Sequence, residues 1–359
     1  MRLMVALFLT LATPLSAATE RTGDIVDGTP VIAQLDIGDL DAGRIHRFWF
    51  RVTDTSVGQG WYVPVIVVKG AKPGPRFLLT AGIHGDELNG VAVAHRMATS
   101  FDPATLNGTV TIIAGLNTPG LINGTRSFTP SGGVGDNLNR LMPGKEDATD
   151  ISDRYAGRLW ARLMRPNADT VVDLHTQSRG TAYVMYAFAE TKRARAMAEL
   201  YAPDIVKLDR GVKGAVETEF NRIGIPAITL ELGYPEVFDE AMIARAVAGT
   251  RRLMVDLKML PTAPSAAVQV AKPFVANSIV PVRTTRGGYV TRLVGLNEDV
   301  AKDQPVATVA DPFGRIVETV RAPVAGRVNT VATDPTREAG DMVVRLVWWS
   351  NDPKCAAGC

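Results

Sequence analysis

The sequence predicts an α/β protein: a mixed, mainly parallel sheet flanked by helices, followed by a small all-β domain. Two observations predict the first part and one predicts the second. Short, continuous apolar runs recur at 77–83, 110–114, 170–174 and 227–230, each passing into a polar or glycine-containing loop. Strands apolar at nearly every position are buried on both faces, as in a parallel sheet covered by helices. Stretches of helical length lie between the runs, at 88–99, 152–164 and 190–201, with more helix over 236–259. Strand alternating with helix is the signature of layered α/β architecture. Beyond residue 260 the pattern changes to short strands and turns at 287–290, 299–302, 306–310 and 343–347, which fits a small β domain.

The chain begins with Arg2, an apolar run from Leu3 to Leu11 broken only by Thr10, then Pro14 and the small residues Ser16, Ala17 and Ala18. A basic start, a short apolar segment and small residues describe a secretory signal cleaved near Ala17 or Ala18; a buried N-terminal helix is the plainer alternative. The run is shorter than the roughly 20 residues that span a bilayer, and no later stretch reaches that length. The mature form is therefore expected in the periplasm or secreted, without a membrane span. No cysteine stands at the cleavage site to take a lipid.

Two alternating segments, 46–52 and 61–68, read as strands, the second closed by Gly70 and a turn at Lys72-Pro73-Gly74-Pro75. The hydrolytic domain is assigned to 19–260, a Pro/Ala-rich linker to 261–268, the β domain to 269–350 and a tail to 351–359. The tail holds both cysteines, Cys355 and Cys359. In an oxidising compartment they are able to close a small loop, and a frayed end is the other reading. Lacking a matching pair elsewhere, they make poor metal ligands.

Composition excludes more than it identifies. Hydrophobic residues make up 46% and charged residues 21%, with a net charge of +2 spread along the chain. That is ordinary globular composition with no nucleic-acid footprint.

Chemistry concentrates where the apolar runs end. At 81–90 a strand runs into Gly82-Ile83-His84-Gly85-Asp86-Glu87, placing a His and a carboxylate three residues apart at a strand-to-helix turn. In open α/β sheets ligands collect beyond the carboxyl ends of strands, and Gly82 and Gly85 permit the tight backbone this needs. The run 170–174 delivers His175 in the same way, and 227–230 delivers Glu231. Two imidazoles and one carboxylate with a water in the fourth position make an open catalytic zinc site, in which the water's pKa falls to roughly 7. Glu231, with no His at ligand spacing, suits proton transfer instead. The other two histidines, His46 and His95, read as structural. Between the ligands, 117–144 forms a long loop carrying Arg126, Asn139 and Arg140. Long irregular segments are usually functional, and arginine forks grip carboxylates or stabilise an oxyanion.

The order His84-x-x-Glu87, Asn139-Arg140, His175, Glu231 resembles the zinc carboxypeptidase superfamily, in particular its succinylglutamate desuccinylase/aspartoacylase branch, over about residues 63–259. The resemblance implies one Zn2+ per chain held by His84, Glu87 and His175, with Glu231 as general acid/base. It implies that Arg126 polarises the scissile carbonyl and that Asn139 and Arg140 hold a substrate carboxylate. One departure stands out: the family's Asp-Leu-Asn-Arg appears here as Asn137-Leu138-Asn139-Arg140, with Asp136 one place earlier. This predicts a weaker support for a zinc-binding His, unless Asp136 substitutes. Residues 321–328 resemble a barrel-sandwich, biotinyl/lipoyl-like domain without the lysine that carriers modify. That domain is expected to wall the active site or to support assembly into a homo-oligomer.

The sequence thus predicts an exported zinc-dependent hydrolase that cleaves an amide, or secondarily an ester, in a small carboxylate-bearing substrate such as an N-acyl amino acid. A metallocarboxypeptidase acting on short or cell-wall peptides is the alternative within enzymes. A non-catalytic metal- or ligand-binding protein is the alternative outside them.

Overall fold

The computed structural model describes residues 18–128, 136–261 and 272–359. The expected signal segment up to residue 17, the glycine-rich loop 129–135 and the linker from 262 onward lie outside the described residues.

Strands β1 (Glu20–Val26), β2 (Thr29–Gln34), β3 (Arg44–Asp54) and β4 (Gly60–Lys69) lead into β5 (Lys72–Ala81). There follow α1 (Asn89–Ala98), β6 (Asn107–Ile113), α2 (Thr118–Asn123), α3 (Ile151–Leu159), β7 (Thr170–His175), β8 (Thr181–Tyr183) and β9 (Met185–Ala189). Next come α4 (Lys192–Leu200), β10 (Ile205–Leu208), α5 (Val216–Arg222), β11 (Ala227–Leu232), α6 (Glu240–Asp256) and β12 (Phe274–Ala276). The remainder is β: β13 (Ser278–Arg283), β14 (Gly288–Arg292), β15 (Asp299–Val300), β16 (Pro305–Ala310), β17 (Ile316–Arg321), β18 (Gly326–Ala332), β19 (Thr336–Arg337) and β20 (Met342–Trp348).

One mixed sheet of eleven strands runs β1-β2-β3-β4-β6-β5-β7-β11-β9-β10-β12. Its centre, β6-β5-β7-β11, is parallel, as the continuous apolar runs predicted. Antiparallel pairing enters at β4 beside β6 and at β9 beside β11. Side chains alternate across a strand, and this sorts two cores. Ala94, Met97, Met197, Ile243 and Leu253 of α1, α4 and α6 pack on Leu79, Val172 and Leu230 on one face. Tyr155, Leu159, Val216 and Phe220 of α3 and α5 pack on Leu78, Val171 and Ala227 on the other.

One expectation needs correction. The Pro/Gly stretch at 72–75 is not a turn: the chain reverses at Gly70–Ala71, and Lys72 already pairs with Asn107, with the register slipping before Arg76. Residues 152–164 are helical as expected, with α3 ending at Leu159 and Trp160–Met164 continuing as a π turn. The small β domain shares strands with the large one. Its first strand, β12, completes the edge of the large sheet beside β10, and β8 leaves the large domain to pair with β18. The rest forms two small sheets, β13-β20-β18-β15 and β17-β16-β14-β19, around a Val-rich core. The tail cysteines, Cys355 and Cys359, are disulfide-bonded. Among the described residues, no helix is long and apolar enough to cross a membrane.

Candidate active site

The site lies at the carboxyl ends of β5, β7 and β11, on the α3/α5 face. There the alternation that places Val171 in the core exposes Asp173 and His175 to the same side, and Ala227 is followed by Thr229 and Glu231. After β5 the chain turns sharply at Gly82, whose φ is +69°. At Gly85 a Cβ would lie 1.9 Å from the carbonyl carbon of Gly120, so only glycine lets this loop close against α2. The turn delivers His84 and Glu87 opposite His175.

The three side chains are buried and converge. Glu87 Oε1 lies 2.9 Å from His84 Nδ1, and Glu87 Oε2 lies 2.8 Å from His175 Nδ1. The outer ring nitrogens are committed: His84 Nε2 donates to Asn137 Oδ1 at 3.0 Å, and His175 Nε2 donates to Asp173 Oδ2 at 2.8 Å. Both Nδ1 atoms therefore face inward. His84 Nδ1 is buried with no hydrogen-bond partner, since its approach to Glu87 lacks the required direction. An orphaned imidazole nitrogen, a second inward-facing imidazole and a carboxylate, all with ligand atoms within 4.8 Å of one another, are the donor set of a divalent metal with N/O preference. The residues fit such an ion.

Charges in the cluster are strongly perturbed. Burial opposes ionisation of Glu87, but His84 and His175 outweigh it and hold the carboxyl well below its usual range. Burial opposes charge on His175 as well, yet Asp173 and Glu87 prevail and hold its pKa well above the ordinary histidine value. Glu231 goes the other way: burial, reinforced by Glu87 and Glu217 against His175 and Arg126, pushes its carboxyl well above the usual range. Its Oε2 has no hydrogen-bond partner, and it lines the same cavity of about 220 Å3.

Arg126 also lines the cavity, donating to Glu87 Oε1 at 3.0 Å and to Ser178 Oγ at 2.6 Å. Asn139 is buried; its oxygen accepts from the Val216 amide at 2.9 Å, and its NH2 group lies 3.5 Å from His175 Nε2. Arg140 is held against the Asn139 carbonyl and lines the cavity; burial and the neighbouring Arg126 lower its pKa. All seven predicted residues thus meet in one place. His46 and His95 do not: His46 bonds the Asp41 carbonyl from β3, and His95 is exposed on α1.

At the position where the family carries an aspartate, Asn137 gives His84 an uncharged acceptor, and Asp136 does not substitute for it. Asn137 Oδ1 takes the His84 Nε2 proton directly and also the Asn139 amide at 2.9 Å. Asp136 plays no such part, accepting instead from Ser152 Oγ at 2.6 Å. Sequence reasoning missed other members. Asp173 was signalled by its position two before His175, which puts both on one strand face. Glu217, Tyr183 and Arg345 carry no such signal. Burial, with Asp173 adding to it, pushes Glu217 up to about 7. Arg345, from β20, donates to Tyr183 Oη at 2.9 Å and reaches the cavity from the C-terminal sheets.

A mixed sheet with two histidines and a glutamate converging at its parallel strand ends defines an α/β protein built around a metal-type centre. Residues 73–257, just over half of the chain, match the succinylglutamate desuccinylase/aspartoacylase catalytic domain. The chain belongs to that family. It is 29% identical over 209 residues to an N-alpha-acetyl-L-2,4-diaminobutyric acid deacetylase of Halomonas elongata, a match covering 54% of this chain and 59% of the relative. Among solved structures, the ectoine utilization protein EutE of Ruegeria pomeroyi, in a product-bound state, superposes with a TM-score of 0.74 at 23% identity, covering 86% of this chain and 96% of that one. A succinylglutamate desuccinylase/aspartoacylase of Rhodobacter sphaeroides gives 0.75 at 20% identity, covering 87% and 98%. At these identities the two structures speak to the fold.

Proposed function

We propose that the protein is a zinc-dependent deacylase that hydrolyses the amide of a small N-acyl amino acid, and that it works outside the cytoplasm. The observation that carries this reading is Glu231: a buried carboxyl with an unpartnered Oε2, in one cavity with His84, Glu87 and His175. Two imidazole nitrogens and a carboxylate favour zinc, which when bound polarises a carbonyl and activates water. In its ionised form, favoured by any cation in the cavity, Glu231 Oε2 accepts a proton from the attacking water and passes it to the departing amine nitrogen. Arg126, which lines the cavity, donates to the scissile carbonyl oxygen as negative charge develops there. Arg140 and the Asn139 NH2 group orient the substrate carboxylate. A cavity of about 220 Å3 suits a small metabolite better than an extended peptide, which favours deacylation over peptide trimming, and the relative named as an N-acetyl amino acid deacetylase supports the same class. Export rests on the N-terminal apolar segment, with the Cys355–Cys359 disulfide consistent with an oxidising compartment.

The test combines elemental analysis with amine release from a panel of N-acyl amino acids. Glu231→Gln keeps stoichiometric metal and loses about 10²–10⁴-fold in kcat, whereas His84→Ala loses the metal. Near-normal turnover in Glu231→Gln would remove Glu231 from the mechanism, and full metal content in His84→Ala would dissolve the centre.

A further inference from the structure

The loop that follows His175 holds Glu87, and the C-terminal sheets hold the loop. Glu87 is buried, and both of its oxygens take donors from residues 176–178. The Thr176 amide reaches Oε2 at 3.2 Å, and the Ser178 hydroxyl reaches Oε1 at 2.9 Å. Ser178 Oγ in turn accepts from Arg126 Nη1 at 2.6 Å, so one hydroxyl joins the glutamate to the arginine. The next residue is tied to the same turn, since the Arg179 amide donates to Asp86 Oδ2 at 3.0 Å.

The far end of this loop is gripped from the C-terminal sheets. The Gly180 carbonyl accepts from the Thr333 amide at 2.9 Å, just after β18, and from Arg337 Nη2 of β19 at 2.5 Å. Thr181 then pairs with Ala332 as β8 joins β18. Gly180 has a φ of +88°, and a Cβ there would lie 2.8 Å from Asp334 Oδ2, so the close approach requires glycine. Two effects at Glu87 follow from the hydroxyl of Ser178. A metal-ligating carboxylate depends on the hydrogen bonds that orient it, and losing one costs about 10–100-fold in affinity. Arg126 Nη1 also bonds Glu87 Oε1, at 3.0 Å, and with Ser178 removed its hold falls on that oxygen alone, where it competes with a cation. Both effects weaken metal binding.

We propose that Ser178 is a positioning residue of the metal centre, fixing Glu87 Oε1 and sharing Arg126 with it, and that the segment from Thr333 to Arg337 keeps Ser178 in place through the Gly180 carbonyl. The C-terminal sheets then support the ion from outside the trio that holds it. The proposal rests on the zinc reading of the site and is independent of which acyl compound is the substrate.

Zinc affinity, measured by competition with a chromophoric chelator, tests this without any substrate. S178A is expected to bind zinc about 10–100-fold more weakly, and S178T, which keeps the hydroxyl, to recover most of that loss. R337M removes one of the two donors to the Gly180 carbonyl and leaves Ser178 itself intact; it is expected to bind zinc at least about threefold more weakly. Thermal melts of the metal-free variants identify a general loss of stability, which lowers the melt and leaves the affinity of the folded protein unchanged. Wild-type affinity in S178A overturns the role of Ser178, and so does a loss that S178T does not recover. Wild-type affinity in R337M overturns the part given to the C-terminal sheets. Should S178A fail to fold, R337M decides alone, a loss supporting the proposal and wild-type affinity overturning it. If the wild-type protein itself binds no zinc, the zinc reading falls and takes this role with it.

Discussion

The carboxylate of Asp173 holds two partners at once, the His175 ring at 2.8 Å and the Thr80 hydroxyl at 2.6 Å, and it is completely buried. Through it, His175 keeps a proton well above the usual histidine range, whereas Glu87 is already ionised. A metal that takes His175 Nδ1 must displace that proton, so affinity for the ion rises with pH from ordinary histidine values up to the raised pKa, by about tenfold per pH unit for one proton. Competition titration against a chromophoric chelator at several pH values measures the slope; a flat profile would show that His175 is neutral before metal arrives. Asp173→Asn lowers the raised pKa and weakens metal binding by roughly 10–100-fold. Asn137 supplies the equivalent acceptor to His84 without charge, so Asn137→Asp should tighten binding in the same assay.

At the scale of elements, the centre depends on how β5 turns into α1. Gly85 approaches the Gly120 carbonyl carbon so closely that any Cβ must displace α2, and Arg126 follows α2 by three residues. Gly85→Ala should cost about 3 kcal/mol and loosen Arg126 from Glu87, read as a lower melting temperature together with reduced turnover. An unchanged melt would mean that the loop relaxes freely. The strands that carry His84, His175 and Glu231 were legible because a buried parallel strand is apolar almost throughout and stops where its polar end begins. The short pieces β8, β9 and β10 were not, since three to five residues contain too little periodicity to stand out. Nor was the reversal at Gly70–Ala71, because the Pro/Gly residues beside it lie in an irregular strand start where their missing donors and flexibility are tolerated.

Over the whole molecule, the two parts of the chain are interleaved rather than appended. β8 pairs with β18, β12 closes the edge of the large sheet, and Arg345 crosses from β20 to the cavity. Arg345→Met keeps the side-chain length and removes the charge; we expect about a tenfold loss in kcat/KM with metal content intact. Wild-type kinetics in that variant would reduce the C-terminal sheets to a scaffold. By itself the sequence determined the α/β class and the strand-end positions of His84, Glu87, His175 and Glu231, because each is a local event: a strand ends, and a reactive side chain stands at its end. Only the tertiary structure decided that Asn137 serves His84 and that Glu217 and Arg345 reach the same cavity. Those contacts join segments tens to hundreds of residues apart, and no local pattern of apolar and polar residues encodes a distance of that kind.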